Sequence, residues 1–187
     1  MTASRIDETR QFIPVRIAVL TVSDTRSRAE DTSGDTLVER LTGAGHVLAA
    51  RELLRDDVPD IRALLMKWIA SADIDVVITT GGTGLTGRDV TVEAMRPLFE
   101  KEIDGFSALF HQISFEKVGT STIQSRACAG VASGTFLFAL PGSTGAVKDA
   151  WDGILRWQLD SRHRPCNFVE IMPRLQEHLA PKDRKRP

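Results

Sequence analysis

Nine residues, Gly81-Gly-Thr-Gly-Leu-Thr-Gly-Arg-Asp89, carry the strongest chemical signal in this 187-residue chain. Three glycines within four positions admit positive φ angles and close approach of the backbone, so successive N–H groups can point at phosphate oxygens. A plain strand-to-helix turn is the alternative, but so many glycines destabilise a turn that has no other task. Two familiar phosphate motifs nearly match. Gly82-x-Gly84-x-x-Gly87 has the letters of the dinucleotide fingerprint, yet its strand is not the first of the sheet and no helix opens within it. Gly82-x-x-x-x-Gly87 has P-loop spacing, yet Arg88-Asp89 stands where Lys-Ser/Thr is required. An acid there repels phosphates unless a cation intervenes. Mg²⁺ commonly takes one or two carboxylates plus substrate phosphates, which makes Asp89 a candidate metal ligand or positioning acid.

Three further segments hold small polar or acidic residues directly after an apolar strand: Ser23-Asp24, Arg55-Asp56-Asp57 and Pro141-Gly-Ser-Thr144. In open parallel sheets ligands bind outside the carboxyl ends of the strands, so the four segments are expected to converge. Asp56 is the second candidate acid; Asp24 and Asp57 are weaker, and a solvated loop or helix-cap role is the alternative for each. Ser143 or Thr144 can cap a helix whose free N–H groups face an anion, and capping alone also explains them. No Gly-x-Ser-x-Gly occurs, which argues against a serine hydrolase. The histidines, at 46, 111, 163 and 178, form no HExxH or His-x-His pair and read as surface or partly buried residues.

The elements that must position these segments are legible from periodicity. Short β-branched or apolar runs predict strands at about 15–22, 46–54, 74–80 and 135–140, the last paired in a hairpin through Ser133-Gly134. Thr32 and Ser33 are candidate caps for a helix carrying Leu37, Val38 and Leu41. Ile61, Leu64, Leu65, Trp68 and Ile69, behind Pro59, predict a helix, as do Phe106, Leu109, Phe110 and Ile113, and Val147, Trp151, Ile154 and Leu155. Strands alternating with amphipathic helices predict a three-layer α/β/α fold with a mostly parallel central sheet. Phe106, Phe110 and Phe115 are read as core or as a subunit interface.

The length suits a single domain, placed at 12–179, with polar, unpatterned and mobile tails at 1–11 and 180–187. With 42% hydrophobic and 26% charged residues, a wholly disordered, collagen-like or coiled-coil chain is excluded. The 24 basic and 25 acidic residues leave no basic excess with which to bind nucleic acid or an anionic membrane nonspecifically. Two distant cysteines, Cys128 and Cys166, suggest neither a disulfide framework nor a zinc site. With no signal-peptide pattern and no run of roughly 18 apolar residues, a cytoplasmic location is expected.

Taken together, Thr21-Val-Ser-Asp24, Thr80-Gly-Gly-Thr-Gly84 followed by Arg88-Asp89-Val-Thr91, and Leu140-Pro-Gly142 resemble the molybdopterin-binding family of MogA, MoaB and the gephyrin G domain. The segments Ser114 to Arg126 and Arg164-Pro-Cys-Asn-Phe168 resemble its MoaB branch, and the likeness covers about residues 12 to 172. The resemblance implies molybdenum-cofactor biosynthesis, in which active relatives transfer AMP from Mg-ATP to the terminal phosphate of molybdopterin and release pyrophosphate. Their two important acids map onto Asp56 and Asp89, which would also place Mg²⁺. Ser23, Asp24, Gly81, Gly82, Thr83, Gly84, Arg88, Gly142 and Ser143 would then bind ATP or molybdopterin, with Ser143 at the pterin or its phosphate. The family's Pro-Gly-x-Pro reads Pro141-Gly-Ser-Thr144 here. The resemblance also implies a homo-oligomer, a trimer or a hexamer built from two trimers. The alternatives are a non-catalytic molybdopterin-binding or carrier protein, and a generic NAD-binding domain that needs no Mg²⁺.

Overall fold

The computed structural model describes residues 5–179 and 183–185. Its strands are β1 (Arg5–Ile6), β2 (Arg16–Val22), β3 (Val47–Leu54), β4 (Val76–Thr80), β5 (Lys101–Glu102), β6 (Cys128–Ala132), β7 (Thr135–Leu140) and β8 (His163–Arg164). Its α-helices are α1 (Thr32–Gly43), α2 (Val58–Ala70), α3 (Thr91–Met95), α4 (Asp104–Val118), α5 (Thr144–Ala150), α6 (Arg156–Gln158) and α7 (Phe168–Ile171). A wider π turn, Trp151–Leu155, joins α5 to α6 and buries Trp151, Ile154 and Leu155.

The main sheet runs β3-β2-β4-β7-β6-β5, with β3, β2, β4 and β7 parallel and β6 and β5 antiparallel. The unbroken apolar character of the central strands reflects cover on both faces. From β2, Ile17 and Val19 enter a core with Leu37, Phe110 and Trp151, while Ala18, Leu20 and Val22 enter a second core with Ile61, Leu65 and Trp68. Those two cores are the two interfaces of the expected three-layer α/β/α fold. All four expected strands are present, and Ser133 (φ 45°) and Gly134 (φ 80°) turn the β6–β7 hairpin. β3, however, is an edge strand and only half buried, because one flank of its ladder has no neighbour among the described residues.

Two local expectations are corrected, and one that left core and interface open is resolved. The cap of α1 is Asp31, whose carboxylate accepts from the Gly34 N–H at 2.9 Å, and not Thr32 or Ser33. Phe106 and Phe110 are buried against Phe138 and the sheet, leaving Phe115 as the outward aromatic of α4. The stretches read as tails are partly seated on the body, although residues 1–4, 180–182 and 186–187 lie outside the described residues. β1 pairs with β8, and Lys185 Nζ donates to the Ile74 carbonyl (2.6 Å) and the Thr135 hydroxyl (2.8 Å). No helix among the described residues is long and apolar enough to cross a membrane.

The connections create the site. The chain leaves β2 to form β3 on one side and returns to form β4 on the other, so the strand order reverses between β2 and β4. Crevices form at such switch points.

His46, read from sequence as unremarkable, is 5% exposed; its Nδ1 accepts the Val15 N–H at 3.3 Å, and its ring packs against Phe12 and Trp151. Burial drives its pKa from 6.5 down to about 4, against the opposing pull of Asp160. The folded protein therefore holds His46 neutral, while the unfolded chain takes up a proton as the pH falls below 6.5. The stability this contributes is complete above that value and is lost progressively towards pH 4. Urea unfolding should lose about 2 kcal/mol between pH 7 and pH 5 through this residue. His46→Gln should flatten that slope, and an unchanged slope would remove His46 from the account.

Candidate functional site

At the switch point lies a cleft of about 400 Å³. β2 ends in Ser23 and Asp24, β3 in Asp56, β4 in Gly81 to Gly84 with Arg88 and Asp89 beyond, and β7 in Gly142; all of these residues line it. The expected convergence of the four strand ends is therefore observed. Ser143, Thr144 and Asp57 lie outside the lining, and the Ser143 hydroxyl caps α5 by accepting from the Ala146 N–H at 3.1 Å. Asp57 likewise caps α2, accepting from the Asp60 N–H at 3.0 Å.

The glycines serve close approach more than amide donation. Gly81 (φ 97°) lies so near β2 that a methyl group there would sit 2.1 Å from the Val22 carbonyl oxygen. Its N–H donates to the Leu140 carbonyl and is not available to a phosphate. A methyl on Gly82 (φ 63°) would sit 2.7 Å from Asp56 Oδ1, and one on Gly84 would sit 2.7 Å from Asp89 Oδ2. Both candidate acids thus rest directly on glycine backbone. The loop wraps Asp89 itself, whose Oδ2 accepts from the Thr86 N–H (2.9 Å) and hydroxyl (2.6 Å).

The carboxylates share one wall of the cleft. Burial, then the charges of Asp24 and Asp89, raise the Asp56 pKa, with Arg88 opposing. Asp89 is shifted the other way: burial alone would raise it, but the Thr86 hydrogen bonds, with help from the Gly84 amide and Arg126, hold it below the ordinary value. Asp24 accepts the Asp56 N–H at 3.3 Å on Oδ1 and pairs through Oδ2 with Arg88 Nε (2.8 Å) and Nη2 (2.5 Å). Among the described residues no three His, Cys, Asp or Glu side chains are grouped so as to hold a metal ion by themselves. The all-oxygen donor set beside open cleft volume instead suits a hard cation that arrives with phosphate oxygens of its own.

Sequence reasoning missed the residues that brace this site. Arg126, between α4 and β6, donates from Nε to the Gly84 carbonyl (2.8 Å) and from Nη2 to that of Asp89 (3.0 Å), and it pairs with Glu93. Arg26 spans from the Ser33 hydroxyl (3.2 Å) to the Gly142 carbonyl (3.0 Å). Thr91, quoted only as the last residue of the Arg88-Asp89-Val-Thr91 motif, donates its hydroxyl to the Gly81 carbonyl (2.8 Å) and its N–H to that of Gly82 (2.9 Å). The arginines bind carbonyls 37 to 116 positions away, and no local pattern marks them.

Residues 18–161 match the family described as "Probable molybdopterin binding domain". The chain belongs to this family. It is 51% identical over 158 residues to molybdenum cofactor biosynthesis protein B of Escherichia coli K12, covering 84% of this chain and 93% of that one. A crystal structure titled as molybdenum cofactor biosynthesis protein B superposes with a TM-score of 0.80 at 37% identity, covering 90% of this chain and 99% of the other. The tungsten cofactor synthesizing protein MoaB from Pyrococcus furiosus superposes with a TM-score of 0.69 at 38% identity, over 76% and 91% of the two chains. Membership in the MoaB branch, expected from the motifs, agrees with these likenesses.

The bracing is testable apart from any activity. Arg126→Met removes the guanidinium from the Gly84 and Asp89 carbonyls while keeping an apolar stem of similar reach. Hydrogen exchange at the amides of 84–90 should accelerate at least about tenfold, with a loss of global stability near 1 to 3 kcal/mol. Unchanged exchange in that loop would show that Arg126 does not hold it.

Proposed function

We propose that the cleft binds ATP and molybdopterin and transfers the adenylyl group of ATP to the terminal phosphate of molybdopterin. A phosphate oxygen of molybdopterin attacks the α-phosphorus of ATP, the bond to the bridging oxygen breaks, and pyrophosphate leaves with that electron pair. The observation carrying this reading is the placement of Asp24, Asp56 and Asp89 around a glycine turn at the switch point of a molybdopterin-binding fold. Three acids in one cleft wall would repel an anionic substrate, and Asp56 and Asp89 would hold the Mg²⁺ that makes their placement favourable. When bound, Mg²⁺ supplies neutralisation of the charge that develops on the phosphates.

The chain's own part is positioning, which is the protein's main contribution to transfer at phosphorus. Gly82 and Thr83 offer backbone at the cleft floor, and Arg88 supplies a movable cation at its mouth. No side-chain nucleophile is required. A carrier without catalysis is the second reading, and one feature favours it: Asp89 Oδ2 is already engaged by Thr86. The same reading takes residues 12–179 as one cytoplasmic domain, with β1 and Lys185 of the flanking segments seated on it. It also implies assembly into a trimer or hexamer, for which Phe115, Val118 and Ile123 are exposed apolar candidates on α4 and the turn after it.

Asp89→Asn keeps an oxygen for Thr86 but removes the charge, so fold and molybdopterin binding should persist. Formation of adenylyl-molybdopterin from Mg-ATP should fall at least about a hundredfold. Asp56→Asn should follow the same pattern with a smaller loss. Near wild-type turnover in Asp89→Asn would defeat the metal-site argument, and absence of turnover in the wild type would select the carrier. Light scattering at micromolar concentration should give three or six times the 20.6 kDa chain mass, and a monomer would contradict the assembly.

A further inference from the structure

Arg88 and Asp24 meet at the mouth of the cleft, across two different loops. Arg88 Nε donates to Asp24 Oδ2 and Nη2 is ion-paired with the same oxygen, and the arginine side chain is 73% exposed against 23% for the aspartate. Asp24 is fixed from behind, since its Oδ1 accepts the Asp56 N–H. Asp89, next in sequence to Arg88, is fixed by Thr86. The guanidinium, the exposed member of this group, can leave by side-chain rotation alone. Exposed ion pairs are also weak enough for a competing ion to replace.

We propose that Arg88 is an exchangeable counter-charge: in the free protein it neutralises Asp24, and a divalent cation entering beside Asp56 and Asp89 draws on Asp24 as a further ligand, displaces the guanidinium and releases it to the polyphosphate. The inference takes its ligands, a divalent cation and a nucleoside triphosphate, from the proposed adenylyl transfer; the ion pair itself is independent of that reading. Two cations cannot share Asp24 Oδ2 without mutual repulsion, so binding of the first frees the second. A freed guanidinium matches phosphate oxygens with its planar fork of donors. Cation and triphosphate then bind with positive coupling, each raising the affinity for the other. The cleft would discriminate in favour of the metal–nucleotide complex over either component alone, a selectivity that the acids by themselves do not supply.

Mn²⁺, followed by electron paramagnetic resonance, tests the exchange without turnover. Arg88→Ala should bind Mn²⁺ alone at least about fivefold more tightly than wild type, and Mn-ATP about tenfold more weakly, a coupling in the usual range. Arg174→Ala, which removes an exposed cation paired with Glu177 away from the cleft, controls for net charge. Unchanged Mn²⁺ affinity in Arg88→Ala, or an equal gain in Arg174→Ala, overturns the exchange while Mn-ATP binding by the wild type leaves the transfer reading intact. If the wild type binds neither Mn²⁺ nor Mn-ATP, both fall.

Discussion

The approach of β4 to β2 at Gly81 is the constraint on which the site depends. A side chain at that position would collide with the Val22 carbonyl oxygen, and φ there is 97°, a region L side chains rarely adopt. On the opposite flank the Gly81 N–H binds the Leu140 carbonyl, and a methyl on Gly142 would stand 3.1 Å from the Gly81 α-carbon. Three parallel strands therefore end in mutual backbone contact. The loops that follow them have no choice but to open side by side, which brings Asp24, Asp89 and Gly142 to one cleft.

The electrostatics follow from that geometry. With the strand ends so close, the acids after β2, β3 and β4 face one another, and each is accommodated differently. Asp24 takes an arginine, Asp89 takes hydroxyl and amide donors from its own loop, and Asp56 is left with its pKa raised by burial and by the other two acids. A carboxylate whose charged form is disfavoured by burial and by two neighbouring acids departs from local consistency, and such departures cluster at functional sites. The two glycines beneath the acids belong to the same logic, because a Cβ at either would displace a carboxylate from the cleft wall.

What the sequence disclosed is what short-range periodicity encodes. β2, β4 and β7 were legible because strands covered on both faces read as unbroken apolar runs, and the glycine loop because composition alone sets it apart. The role of the glycines was only half legible: amide donation to phosphate was the natural reading, whereas the Gly81 amide serves the sheet and the Gly84 amide contributes to holding Asp89. Facing direction was ambiguous on α4, where Phe106 and Phe110 turn inward and Phe115 outward. The bracing roles of Arg26 and Arg126 were invisible, since both reach carbonyls contributed by the fold and any residue type can supply those.

Behind the cleft, one buried ion pair extends its order into the interior. Asp31, fully buried, accepts from the Thr21 hydroxyl (2.9 Å), the Gly34 amide (2.9 Å) and Arg51 Nη2 (2.8 Å), while Arg51 Nε has no hydrogen-bond partner among the described residues. Such pairs contribute little net stability compared with a well-packed apolar replacement, because desolvation offsets the attraction. Their directional bonds nevertheless fix relative position, and here they join β2, β3 and the start of α1. Ser33, on the first turn of α1, in turn meets Arg26, and Arg26 reaches the Gly142 carbonyl. The loop after β7 is thereby referenced to the loop after β2 through bonds that tolerate little slippage. An apolar cluster would hold the same elements together without setting their register, and a site assembled from four strand ends requires that register.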